Sequence, residues 1–433
     1  MRHLLMISHF FPPMGGGGVQ RATKFVKYLS QCGWRTTVVC GDPDDYWMRD
    51  ETLLQEVPES ARVIATAGAT GLGMLRRVRR QRGRERRSSR AFALLRRAAT
   101  WALIPDSYVG WRSFALRTAE KVLERDPPDA VLSTGPPETN HLVGLQLKQR
   151  TRLPWLVDFR DPWVALHLFE PPTRWHRERN SKLESAVLQH ADCLVATTSW
   201  LRDLLRERHP GTPTRLYVIR NGFDPADFPA HRPEPTPGLP LRLVHAGMLT
   251  MTRSVDGLLH GLRRLHVRRP ELSGSVQVEL FGARETANDD LVARLDLEEC
   301  VRFRGYVPHD EAIAAMLRAD VLLLVKHTEP RYLGLVPGKL YEYLGAGRPI
   351  LALVPESEAA ELVRKFERGV TAPPDAPESI CALLEQLVEA KRDGTLHARY
   401  GGEAPAALTR LEQARNLAAL LDQIAPSSNR GGA

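Results

Sequence analysis

The sequence predicts an α/β protein of two doubly wound domains. Short apolar runs of strand length alternate with segments of helical periodicity along nearly the whole chain. The alternation runs through twice, and a Pro-rich run from Pro225 to Pro240, opened by Asn221-Gly222, separates the two courses. The 433 residues are long for one core and comfortable for two. The reading divides the chain into an N-terminal domain at 1–224 that carries a basic arm at 74–100, a linker at 225–240 and a C-terminal domain at 241–405. A terminal helix at 406–425 is able to pack back on the N-terminal domain, and the polar tail 426–433 is expected to be disordered.

The first domain opens as strand, loop, helix, strand. Leu4–Ser8 and Thr36–Cys40 are the strands, and between them a loop with the four glycines Gly15–Gly18 enters a helix patterned by Val19, Phe25, Val26 and Leu29. Glycines before a helix let backbone N–H groups meet an anion at a strand end, although the loop lacks the G-x-G-x-x-G spacing. Further strands are expected at Arg62–Ala65, Ala130–Ser133, Trp155–Asp158, Cys193–Ala196 and Leu216–Ile219. His141 falls in the first turn of the helix after Ala130–Ser133, where the helix N-terminus favours a neutral ring. Asp158-Phe-Arg-Asp-Pro-Trp163 leaves the next strand. Its two carboxylates and Arg160 either bind sugar hydroxyls or form a self-contained ion pair inside the fold. Asp42-Pro43-Asp44 matches a D-x-D pair, which in a polar turn is read as the turn itself.

The second domain repeats the plan with strands at Arg242–Ala246, Val276–Phe281, Val301–Arg304, Val321–Val325 and Ile350–Leu353. The loop 326–338 leaves Val321–Val325 and enters a helix over Lys339–Leu344 that stops at Gly345 and Gly347. Open parallel sheets bind ligands at that place, and a helix start favours a phosphate. Lys339 adds a cation there and Glu342, one turn on, offers two acceptors; the alternative is an ordinary surface Lys and Glu.

Composition narrows the class. Apolar content of 43% with 26% charged residues is that of a globular protein. No apolar run reaches the roughly 18 residues of a membrane helix, and the start lacks the length of a signal peptide. Cys32, Cys40, Cys193, Cys300 and Cys381 are odd in number and have no metal-ligand spacing, so they read as reduced core residues of a cytoplasmic protein. Between Arg76 and Arg97 stand eleven arginines and one acid, Glu85, more positive charge than the net +9 of the whole chain. With Trp101-Ala-Leu-Ile after it, the arm suits an anionic membrane surface; aromatic residues are not interleaved, so nucleic acid is not expected. A solvated loop is the other reading.

At the motif level most of the chain resembles the family 4, retaining, nucleotide-sugar-dependent glycosyltransferases, and the two Rossmann-like halves with loops facing one cleft look like the GT-B fold. The residues are Phe11-Pro-Pro13 with Gly17-Gly-Val-Gln-Arg21, Val218-Ile-Arg-Asn-Gly-Phe-Asp224, Gly247 with Arg253, Phe303-Arg-Gly-Tyr-Val-Pro308, and Leu340-Tyr-Glu-Tyr-Leu-Gly-Ala-Gly-Arg-Pro349. Thr134-Gly-Pro-Pro137 and the Asp158–Trp163 stretch look like a branch of bacterial members that build cell-surface polysaccharides.

The resemblance implies transfer of a hexosyl or N-acetylhexosaminyl group from a nucleoside-diphosphate sugar to an acceptor hydroxyl, with no cofactor and no metal. It implies catalytic roles for His141, Arg253, Lys339 and Glu342. Gly17, Gly18, Arg253, Tyr306, Val307, Leu335, Val336, Gly338, Lys339 and Glu342 would bind the donor, with His141 on its sugar, and Asp158, Arg160, Asp161 and Trp163 the acceptor. The acceptor is lipid-linked or a small molecule, and the place is the cytoplasm, at the inner face of the membrane. By the same resemblance the leaving phosphate takes the acceptor proton. Three departures stand out. Gly334 occupies the place of the family's first glutamate, for which Glu329 can substitute; Met248 replaces an Arg; and Arg253 replaces a Lys. A natural-product glycosyltransferase acting on a soluble aglycone, a non-hydrolysing nucleotide-sugar epimerase and an inactive binding protein are the alternatives.

Overall fold

The structure is a computed structural model. It describes residues 1–46, 48–68, 101, 103–165, 171–212, 215–234, 236–247, 249, 254–282, 287–326, 329 and 332–425. The basic arm at 74–100, Arg253 and the tail at 426–433 lie outside them. The chain divides into two compact units, Met1–Asn221 with Arg410–Ala433, and Gly222–Thr409.

In the first unit the elements run β1 (Arg2–Ile7), α1 (Gly17–Leu29), β2 (Trp34–Gly41), β3 (Arg62–Thr66), α2 (Arg112–Arg125), β4 (Ala130–Gly135), α3 (Thr139–Thr151), β5 (Trp155–Phe159), α4 (Arg174–His190), β6 (Cys193–Ala196), α5 (Ser199–Arg208) and β7 (Arg215–Val218). Among the described residues the strands form one parallel sheet in the order β3-β2-β1-β4-β5-β6-β7. Strands covered on both faces must be apolar throughout, and β1 and β4 are buried along nearly their whole length.

The second unit continues with β8 (Leu241–Ala246), α6 (Asp256–Arg268), β9 (Val276–Phe281), α7 (Ala287–Arg294), β10 (Val301–Gly305), α8 (His309–Arg318), β11 (Val321–Val325), α9 (Gly338–Ala346), β12 (Ile350–Leu353), α10 (Glu358–Lys365), β13 (Gly369–Ala372), α11 (Pro377–Arg392) and α12 (Leu396–Tyr400). Its sheet order is β10-β9-β8-β11-β12-β13. Strand β13 escapes the sequence reading because Gly-Val-Thr-Ala at a sheet edge is short and half-buried and shows no apolar run.

The Pro-rich run read as a linker lies within the second unit. Phe223 and Phe228 are buried in its core, the Arg348 guanidinium donates to Pro233 O, and Lys391 Nζ donates to Thr236 O. The same Lys391 forms a buried pair with Asp320 at 2.5 Å.

The last helix, α13 (Arg410–Ile424), belongs to the first unit. Its Ala414, Leu417 and Leu421 pack with Phe25, Val26 and Leu29 of α1 and cover one face of the sheet, and Trp34 Nε1 donates to Asp422 at 2.9 Å. Among the described residues no helix is long and apolar enough to cross a membrane. All five cysteines are free, and burial pushes the Cys40 and Cys193 thiols up to about 12, so they are inert core residues.

Candidate functional site

In each sheet the strand order reverses at one place, between β1 and β4 in the first unit and between β8 and β11 in the second. Doubly wound sheets take ligands outside the carboxyl ends of the strands at such a reversal, where the loops leave them. Of the sequence-predicted site residues, Leu335 and Val336 fall on these loops, and Gly17, Gly18, His141, Gly338, Lys339 and Glu342 fall in the first two turns of the helices they enter.

In the second unit α9 starts beside the reversal. Leu340, Tyr343 and Leu344 recur at helical spacing and are buried, which turns Lys339 and Glu342 outward. Tyr343 fixes the helix to both central strands: its hydroxyl accepts from Ala246 N at 2.9 Å and donates to Leu323 O at 3.2 Å. Two glycines permit this seat. A Cβ on Gly345 would lie 2.7 Å from the Phe223 ring, and Gly347 ends the helix at φ 71°. Lys339 Nζ and Glu342 Oε2 are 2.8 Å apart and half-buried. Gly247, at the end of β8, is close enough that a Cβ there would lie 4.0 Å from Lys339 Cγ.

The loop before α9 is tied internally. Lys326 Nζ donates to Leu333 O at 2.6 Å, and burial pushes this lysine down to about 8. Tyr332 N donates to Glu329 O at 2.9 Å and Leu335 N to Tyr332 O at 3.1 Å. The Leu335 amide is therefore engaged within the loop, while Val336 and Gly338 stand at the helix start, where first-turn N–H groups have no intrahelical acceptor. Gly334 is buried. Tyr306 is 83% exposed, and Val307 packs against the core beside it. His309, absent from the sequence reading, begins α8. Asp227, whose Oδ2 lies 3.9 Å from Nε2, raises its pKa against burial, Glu342 raises it further and Lys339 lowers it, which places the ring in the same electrostatic neighbourhood. Its only sequence signal was a helix start after Pro308.

The first unit presents the start of α1 and the loop before α3. Gly16, at φ 93°, precedes α1, and Gly17 and Gly18 are exposed in its first turn. Arg160 donates to the carbonyls of Gly18, Gly135 and Pro136, so it braces both loops. Of the two readings left open for Asp158, the structure shows the internal ion pair. Its carboxylate is fully buried, accepts Arg21 Nη2 at 2.7 Å and Nε at 3.0 Å, and accepts Thr134 Oγ1 at 2.8 Å. Burial alone would push Asp158 up; Arg21 holds it below the usual carboxylate range. Arg21 also donates to Ile219 O and Arg220 O and so pins the chain after β7. Trp163 is likewise internal, with Nε1 donating to Asn180 Oδ1 at 3.0 Å.

His141 has no solvent exposure, and burial pushes its ring down to about 3. The start of α3 is already capped by Asp106, which accepts Thr139 N and Oγ1, each at 2.8 Å. Asp106, Glu138 and Asp161 are all pushed up, chiefly by burial and in Glu138 also by the other two. Sequence reading passed over Glu138 and Asp106, because only the fold brings residue 106 to a helix start 33 positions on. Phe10, Tyr46 and Tyr108 form a partly exposed aromatic group with centroids 5.1 and 5.3 Å apart. In the D-x-D turn Asp42 accepts its own Asp44 N at 3.0 Å, and Asp44 pairs with Arg49 at 2.8 Å.

Residues 16–222 match the family described as glycosyl transferase 4-like domain, and residues 240–390 match glycosyl transferases group 1. The glycogen synthase of Mycobacterium tuberculosis (strain CDC 1551 / Oshkosh) is 26% identical over 249 residues, 58% of this chain. The match spans 57% of that relative's length. The amylovoran biosynthesis glycosyltransferase AmsK of Erwinia amylovora is 24% identical over 182 residues, 41% of this chain and 43% of that one. Among solved structures, sucrose-phosphate synthase from Thermosynechococcus elongatus has a TM-score of 0.59 at 16% identity, covering 98% of this chain and 96% of its own. The lipopolysaccharide outer core galactosyltransferase WaaB has 0.56 at 14% identity, covering 97% and 99%. These likenesses show the fold, two Rossmann-like units of the GT-B type. With a glycosyl transferase 4-like domain followed by a group 1 domain over most of its length, the chain belongs to the glycosyltransferases of GT-B fold.

Proposed function

We propose that this protein moves a sugar from a nucleoside-diphosphate sugar to an acceptor hydroxyl with retained anomeric configuration, in the assembly of a bacterial cell-surface polysaccharide or glycolipid. The observation that carries the reading is the Lys339–Glu342 pair at the start of α9, on the loop beside the strand-order reversal of the second unit. A leaving diphosphate gains negative charge in the transition state, and fixed cations and N–H dipoles stabilise it. Lys339 and the amides of Val336 and Gly338 supply that set, and Arg253, outside the described residues, is the second cation that the resemblance implies. When Lys339 turns to the diphosphate it releases Glu342, whose two oxygens then suit the ribose hydroxyls. Tyr306 and Val307 flank the base. A divalent metal is not needed where such cations are present, and the D-x-D acids are spent on their own turn.

The first unit takes the acceptor. Arg160, Asp161 and the aromatic face of Phe10, Tyr46 and Tyr108 are the groups a sugar would meet, while Asp158 and Trp163 hold their loop from inside. A lipid-linked acceptor would bring the protein to the inner face of the membrane through the arginine arm.

The test is product analysis with UDP-, GDP- and ADP-linked glucose, galactose, mannose and N-acetylglucosamine. A glycoside or free sugar of retained configuration, formed with release of nucleoside diphosphate, is expected. Release of an epimerised nucleotide sugar, or no consumption of any donor, overturns the reading.

A further inference from the structure

At the strand-order reversal of the second unit the sheet parts. Strand β8 stays paired with β9 as far as Ala246 opposite Phe281, and β11 with β12 as far as Val325 opposite Leu353. Among the described residues β8 and β11 pair with each other only as far as Val244 opposite Leu322. Alternate residues of a parallel strand bond to alternate neighbours. Gly247 N donates to Phe281 O and Lys326 N to Leu353 O, so Ala246 N and Leu323 O, of the other parity, face each other across the parting. A bond between them would be the next rung of the ladder.

The Tyr343 hydroxyl of α9 stands in that rung. It accepts Ala246 N–H at 2.9 Å and donates to Leu323 O at 3.2 Å. A carbonyl only accepts, so His245 Nδ1 is a second donor to the same oxygen, at 2.9 Å. His245, Ala246, Leu323 and Tyr343 are all buried. Ala246 N–H and Leu323 O do not need the hydroxyl for satisfaction, because in a closed rung each would satisfy the other. What the hydroxyl adds is width, one oxygen atom between the N–H and the carbonyl. That width reaches two neighbours: Gly247 follows Ala246 directly, and Lys339 stands one turn before Tyr343 on α9. A Cβ on Gly247 would lie 3.2 Å from His245 Nε2 and 4.0 Å from Lys339 Cγ, so the end of β8 and the start of α9 meet there.

We propose that Tyr343 is a positioning residue for the donor diphosphate: its hydroxyl keeps β8 and β11 apart and so sets the spacing of Gly247 and Lys339, on which the hold on the diphosphate depends. The inference rests on the reading of Lys339 as a diphosphate cation. Tyr343 is buried and touches no substrate; it acts through the backbone at Ala246 and through its own helix. Without the hydroxyl, Ala246 N–H and Leu323 O are free to close their rung. That draws the end of β8 toward β11 and moves Gly247 against Lys339. A binding constellation must be held within about 0.5 Å to stay productive. A phenyl ring at position 343 would still fill the core beside Leu340 and Leu344, so the seat of α9 is kept while the spacing is lost.

The experiment uses the full chain and calorimetry with UDP, GDP and ADP, and with uridine, guanosine and adenosine in competition. Wild type should bind at least one diphosphate. Tyr343→Phe should bind that diphosphate roughly 10-fold more weakly, with the affinity for its nucleoside within about twofold of wild type. Its kcat/KM for the corresponding nucleotide sugar should fall by roughly 10- to 100-fold. A merely structural role would weaken nucleoside and diphosphate alike. Circular dichroism establishes that the variant is folded. If it is not, Gly247→Ala decides, since it keeps the hydroxyl and crowds the same spacing with a Cβ, and the same selective loss is expected. Diphosphate affinity within about threefold of wild type, or equal losses for nucleoside and diphosphate, overturns the positioning role and leaves the transferase reading standing. A wild type that binds none of the diphosphates overturns this inference and the reading of Lys339 together.

Discussion

His9 offers a direct measure of what burial costs a titratable group in the first unit. It follows β1, and its ring is packed among Phe10, Tyr108 and Trp111 at centroid distances of 5.2, 4.5 and 4.9 Å. Gly41 lies so close that a Cβ there would stand 2.4 Å from the ring, and Nδ1 has no hydrogen-bond partner among the described residues. Burial pushes the ring from an ordinary value of 6.5 down to about 3. The unfolded chain therefore binds a proton below pH 6.5 that the folded unit refuses, so stability present above 6.5 is lost as the pH falls. Between pH 7 and pH 5 this one ring should cost about 2 kcal/mol. His9→Phe keeps a ring and removes the titration. Its unfolding free energy should fall by about 2 kcal/mol less over that interval than that of wild type, whatever its stability at pH 7. All eight tryptophans precede Asn221 and lie in the first unit, so tryptophan fluorescence in a urea titration reports that unit alone. Equal losses in wild type and His9→Phe would refute the argument, because the ring would then be able to accept its proton in place.

The buried pair of Arg21 and Asp158 predicts that Arg21→Met lowers the stability of the first unit by about 3–5 kcal/mol, since a carboxylate is left unpaired, and that adding Asp158→Leu restores most of it. The same fluorescence titration checks this, and a loss under about 1 kcal/mol would count against it. In the second unit, Lys339→Ala and Arg253→Ala should each weaken UDP or GDP binding by roughly 1–3 kcal/mol in calorimetry, unchanged affinity in both removing the proposed clamp. Glu342→Gln should harm donor binding more than Glu329→Gln, and the reverse order would mean that Glu329 holds the ribose. Turnover should survive EDTA; loss restored by magnesium or manganese would contradict the metal-free reading. Finally, the protein should pellet with anionic vesicles and be released by high salt, where the Debye length falls from about 10 Å at 0.1 M to about 3 Å at 1 M. Replacing the arginines at 76, 77, 79, 80, 82, 84, 86 and 87 with Gln should abolish pelleting; a wild type that ignores such vesicles at low salt leaves the arm a solvated loop.

What the sequence determined by itself is whatever is local in the chain. Apolar runs bounded by turn residues marked most strands, because a parallel strand covered on both faces shows in its own residues, and edge strand β13 was missed because it is not so covered. The helix start at Pro337-Gly338 and the outward pair Lys339 and Glu342 were legible for the same reason: capping chemistry and three-residue spacing involve only near neighbours. Tertiary structure decided everything that depends on meetings between distant residues. Asp158 could have faced a sugar or closed an ion pair, and only the approach of Arg21, 137 positions earlier, settled it. His141 could be read as a contact residue until the fold showed it with no solvent exposure, on a helix capped from position 106. Burial and pairing set the charge state of a buried group, and both are properties of the folded surroundings rather than of the residue or its neighbours in sequence.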